Sequence, residues 1–88
     1  SAGFAVGKFG LRALSFSMAR ELGPQGVHVA HVIVDGGIHG PHHAMEGDKP
    51  ENHLLEPDAI ADTYYHLHTQ HRSSWAAEID VRPWVETF

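Results

Sequence analysis

The chain has 88 residues, 42% of them hydrophobic and 19% charged, with a net charge of −5. That is too apolar for a disordered tail, short enough for one domain at most, and too acidic for a nucleic-acid binder, which needs basic residues to neutralise phosphates. The absence of cysteine excludes disulfides and thiolate zinc sites, and no apolar run reaches the roughly 18 residues of a membrane-spanning helix.

From Gly3 to Leu22, apolar residues recur at helical spacing with few β-branched interruptions, which predicts a helix over residues 1–23. Arg20 in the last turn, Gly23 as a left-handed cap and Pro24 beyond it mark the end. Gly3, Gly7 and Gly10 each cost this helix close to ~1 kcal/mol relative to alanine, which predicts a neighbour in close approach. Next, Val27-His28-Val29-Ala30-His31-Val32-Ile33-Val34 is almost continuously apolar and rich in β-branched residues, the pattern of a parallel strand covered on both faces. Asp35-Gly36-Gly37 then turns the chain, two glycines in succession favouring a turn or a close backbone approach.

Residues 38–55 are largely polar, with Leu54 and Leu55 as anchors, and a connection of this length reads as a functional lid or a partly disordered stretch. A helix over residues 56–71 follows, started by Pro57 and Asp58, with Ile60, Tyr64 and Leu67 on its core face. Residues 73–82 alternate and predict a half-buried strand with Trp75, Ala77, Ile79 and Val81 inward. The fold class expected is α/β, in the order helix-strand-helix-strand, with one strand-helix-strand crossover preceded by a helix. Two strands cannot cover the faces and edges of residues 27–34. The expectation is therefore a C-terminal fragment of a larger doubly wound domain, or a subunit that completes its sheet with another chain.

The phrase SAGFAVGKFGLRALSFSMARELGPQGVHVAHVIV, followed by a glycine turn, EPDAIADTYYHLHTQ and SSWAAEIDVRP, resembles the C-terminal portion of the short-chain dehydrogenase/reductase family. The resemblance implies a Rossmann-like domain that moves hydride between NAD or NADP and a carbonyl or alcohol substrate. In the family a Tyr-x-x-x-Lys pair opens this helix, the Tyr as acid/base and the Lys as ligand of the nicotinamide ribose. Lys8 stands at the Lys position and takes the catalytic and cofactor-binding assignment. Phe4 stands at the Tyr position, where a phenyl ring has no proton to give. The turn after the strand contacts the nicotinamide carboxamide in the family, which assigns Gly36, Gly37 and above all the Ile38 backbone to the cofactor. The resemblance also implies a homodimer or tetramer built through the first helix. The family's phosphate-binding glycine turn and its catalytic serine have no counterpart in these 88 residues.

Phe4 leaves three explanations open: activity lost with the scaffold kept, another donor such as a lid histidine or water, or altered chemistry. The alternative function is accordingly an inactive scaffold acting through cofactor sensing or dimerisation. Tyr64 and Tyr65, on a later helix, are poor replacements. Nine histidines raise the question of metal, but Pro41 disfavours a helical His39/His42 pair and no carboxylate shell accompanies His68 and His71. The histidines are read as solvent-facing, except that at least one of His28 and His31 packs with its ring nitrogens satisfied. No metal is assigned, and the cytoplasm is the expected compartment.

Overall fold

The computed structural model describes residues 2–41 and 49–85. Helix α1 spans Ala2–Leu22, strand β1 His31–Val34, helix α2 Pro57–Thr69 and strand β2 Glu78–Val81, with single 3-10 turns at Gly23–Gln25 and Arg72–Ser74. The two strands pair in parallel, with the His31 N–H donating to the Ala77 carbonyl and the Asp35 N–H to that of Val81, both at 2.9 Å. The α/β class and the helix-strand-helix-strand order are those the periodicities dictate.

α1 forms because its 21 residues include a single β-branched residue, Val6, and it stops where Pro24 cannot donate. The left-handed residue is Gly26, at φ 90°, rather than Gly23 as expected. The Gly26 N–H returns to the Gly23 carbonyl at 2.9 Å, so the chain tightens into a 3-10 turn before reversing hand.

Both strands are shorter than the runs that predict them, four residues each in place of 27–34 and 73–82. Beyond the N-terminal end of β2, side chains rather than a neighbouring strand bond the backbone. The Ala76 carbonyl accepts from the His28 Nε2–H at 2.8 Å, and the Ala76 N–H donates to Gln70 Oε1 at 3.0 Å. At the other end Pro83 has no N–H to offer. The run 27–34 is also less covered than expected: Val27 and Val34 are exposed and the residues between are half-buried, since among the described residues each strand has a single neighbour.

α2 opens on Pro57 and Asp58 and ends at Thr69, whose hydroxyl donates to the carbonyls of Tyr65 and His66. Its inward face is Ile60, Thr63 and Leu67, with Leu67 only 6% exposed. Tyr64, assigned to the core from spacing, lies outward at 51% exposure, because the helix buries its i, i+3, i+7 row instead. His71, expected at the helix terminus, accepts from the Ser73 N–H at 3.2 Å and caps the following 3-10 turn. Among the described residues Leu67 and Pro83 are the buried ones, and no helix is long and apolar enough to cross a membrane.

The described chain divides into two compact units, one of residues up to Val32 with Gln70–Ile79, the other of Ile33–Thr69 with the residues from Asp80 onward. The neighbour expected against the α1 glycines is not among the described residues, for a Cβ at Gly3, Gly7 or Gly10 would meet nothing within 4 Å.

Candidate functional site

In the first unit, four side chains spaced by four residues form a stripe along α1: Phe4, Lys8, Arg12 and Phe16. The Lys8 ammonium lies 5.3 Å from the Phe4 ring centroid, and the Arg12 guanidinium 5.6 Å from that of Phe16. Phe4 and Lys8 thus share one exposed face, the arrangement a Tyr-x-x-x-Lys pair would have, with a ring that carries no hydroxyl. Among the described residues Lys8 has no carboxylate partner, so its three N–H donors are available to a ligand.

Arg12 is committed elsewhere. Its Nε donates to Glu78 Oε2 at 2.6 Å and its Nη2 to Oε1 at 3.0 Å, a forked pair that joins α1 to β2. His31, on β1, donates from Nδ1 to the same Oε2 at 3.2 Å. The bonds from Arg12 hold the Glu78 carboxyl below the usual carboxylate range; partial burial opposes them and the bond from His31 adds to them. Since the folded-state value is depressed, the stabilisation is complete above the ordinary carboxylate value and is lost as pH falls through the lowered one. Thermal midpoints of the native protein and Glu78→Gln, followed from about pH 7 down to about pH 3, should therefore differ near neutrality and converge in acid. A constant gap across that range would contradict the role of the charge.

In the second unit, the turn after β1 is built around Gly36, whose φ of 147° suits glycine. A Cβ there would lie 2.7 Å from Pro83 Cδ and 3.1 Å from Cγ. Asp35, one residue earlier, pairs with Arg82, which also pairs with Asp80. Two residues later Ile38 forms a parallel bridge with Leu55: Leu55 donates to the Gly37 carbonyl at 2.8 Å and His39 to the Leu55 carbonyl at 2.7 Å. Because the bridge uses the groups of Gly37 and His39, the Ile38 N–H and C=O are directed away from Leu55. Gly36, Gly37 and Ile38 are thus brought together in one stiff turn.

The same bridge closes the neck of residues 38–55. His39 Nδ1 lies 3.0 Å from Glu56 Oε1, and the indole N–H of Trp84 donates to the Glu51 carbonyl at 3.0 Å. His42 and His43 lie outside the described residues, among which no group of three metal-ligating side chains occurs. Several histidines read as solvent-facing have definite partners: His39 has Glu56, and His53 donates to the Pro50 carbonyl at 3.0 Å. His28 stacks on Trp75 at 4.7 Å, and His28 and His31 each have one ring nitrogen bonded, to the Ala76 carbonyl and to Glu78. The Arg12–Glu78 pair went unforeseen because its members are 66 residues apart, and Glu78 in an alternating strand reads as a solvated charge.

Each unit, taken by itself, carries donors of a kind a nicotinamide nucleotide uses: in the first the Lys8 ammonium, which suits vicinal hydroxyls, and in the second the Ile38 N–H and C=O, which suit a carboxamide. The diphosphate end has no matching glycine turn in these residues.

No family model and no curated protein matches the sequence. The crystal structure of a short-chain dehydrogenase from Rhodopseudomonas palustris is similar at a TM-score of 0.67 and 41% identity over 94% of this chain. The chain spans 30% of that dehydrogenase's length. With that identity carried on the same parallel helix-strand-helix-strand arrangement, the chain belongs to the short-chain dehydrogenase/reductase family, of whose Rossmann-like fold it forms a part.

Proposed function

We propose that the protein carrying this chain is an NAD(P)-dependent oxidoreductase that transfers hydride between the nicotinamide and a carbonyl or alcohol carbon. The observation that carries the reading is the uncommitted Lys8 ammonium on the face it shares with Phe4. Bound nicotinamide supplies or accepts the hydride. Lys8 donates to the ribose hydroxyls and adds positive charge beside the reacting oxygen. The Ile38 N–H and C=O bind the carboxamide, and Gly36 and Gly37 let the backbone come close. Residues 38–55, of which 42–48 lie outside the described residues, are read as the substrate lid.

Phe4 favours a second reading. A carbonyl reduced to an alkoxide needs a proton, and the phenyl ring has none to transfer, so the scaffold would bind cofactor and act by sensing or dimerisation. The exposed Phe4, Val6, Phe9, Leu11 and Leu14 of α1 support association through this helix into a homodimer or tetramer. Phe4→Tyr separates the two. If the proton donor alone is missing, the substitution should raise carbonyl reduction by roughly 100-fold or more, the scale of general acid catalysis. Unchanged turnover with cofactor still bound would favour the scaffold.

A further inference from the structure

We infer that Arg12 and Glu78, with His31 as third partner, are positioning residues that set the rotation of α1 about its axis and so the aim of Lys8. The inference rests on the cofactor role proposed for Lys8, and it adds two residues, one on a helix and one on a strand, that touch no ligand themselves.

α1 has no fully buried residue, and its half-buried ones, Ser15, Phe16, Ala19 and Leu22, all lie in its second half, so packing among the described residues holds the turns that carry Lys8 and Arg12 only weakly. A helix held only by its apolar face slides and turns over a range of packings, whereas a forked guanidinium-carboxylate pair has one good geometry. The Arg12 fork reaches Glu78 at 2.6 and 3.0 Å. The guanidinium is further held against the Phe16 ring at 5.6 Å, and Glu78 is held from β1 by His31 at 3.2 Å. A carboxylate tied to both strands is a fixed point on the sheet. Lys8 is one turn before Arg12, about 40° around the axis, so whatever fixes Arg12 fixes the direction in which Lys8 leaves the helix. The titratable and charged groups that meet in this cluster are Glu78, Arg12 and His31.

The test is a double-mutant comparison on the full protein, read as the dissociation constants of NADH and NADPH by fluorescence titration. Glu78→Gln keeps the shape and removes the charge, and Arg12→Met keeps the aliphatic stem. Each should weaken binding of the preferred nucleotide by roughly tenfold, the scale of a small misplacement in a positioned group. In a Lys8→Ala background neither should weaken it further, because the aim of an absent side chain has no value. A role in stability alone predicts the opposite, the same loss with and without Lys8. Amide exchange around Lys8 in the cofactor-free protein should also rise in both variants.

Equal losses in the two backgrounds overturn the inference while leaving the Lys8 assignment standing. Lys8→Ala binding as tightly as the native protein overturns both. Should Glu78→Gln fail to fold, the exchanged pair Arg12→Glu with Glu78→Arg, which restores an ion pair at the same place, should recover affinity over Arg12→Glu alone; no recovery is again a contradiction.

Discussion

Gly36→Ala should destabilise the protein by about 3 kcal/mol and should weaken cofactor binding as well. The backbone at 147° is territory an L side chain rarely enters, at a cost of about 1–3 kcal/mol. The added methyl would also lie 2.7 Å from Pro83 Cδ, in contact with a buried ring that has no free end to swing aside. Something must move, and the candidates are the turn itself or the segment Arg82–Pro83. Either motion shifts Ile38, two residues on, whose N–H and C=O are proposed to hold the carboxamide. Urea unfolding gives the stability change and nucleotide titration the affinity change. Gly40→Ala is the control, since a Cβ there meets nothing within 4 Å and the backbone is not left-handed. Equal behaviour of the two variants would show that the turn is not constrained as described.

Lys8→Ala should reduce affinity for the nicotinamide nucleotide by about 30-fold, or about 2 kcal/mol, with little change in stability. A charge-assisted hydrogen bond carries about 1.5–3 kcal/mol, and removing it leaves no orphaned partner on the protein, because Lys8 is paired with none of the described carboxylates. The stability change is small because the side chain is exposed and its protein contact is the Phe4 ring at 5.3 Å. Lys8→Arg keeps the charge but replaces a compact ammonium by a planar fork, so partial recovery is expected.

Much of this was written locally. Helix spacing, Pro24, Pro57-Asp58 and the β-branched run define the elements because each acts over one or two turns of chain. The strand limits were illegible for the opposite reason. Whether Val27 to Ala30 join a ladder depends on the path of residues 73–77, which are held by contacts distant in the chain such as the bond from the His28 ring to the Ala76 carbonyl 48 residues away. Tyr64 was misassigned because a helix of this composition has two apolar rows, and only packing chooses between Tyr64 and Thr63. In the candidate site, Lys8, Phe4 and the glycine turn were legible from a phrase whose residues lie close in the chain. The Arg12–Glu78–His31 cluster was not, since its members come from three elements, Arg12 and Glu78 each read alone as an ordinary surface group, and the partner of a packed His31 is not written in its own strand.

The most direct test of the account is titration of the full native protein and of Lys8→Ala with NADH and NADPH, followed by the quenching of tryptophan fluorescence. The account predicts saturable binding of one nucleotide by the native protein and a loss of roughly 30-fold on removing Lys8. Saturable binding that is indifferent to Lys8 would contradict the site, and no binding of either nucleotide would contradict the function.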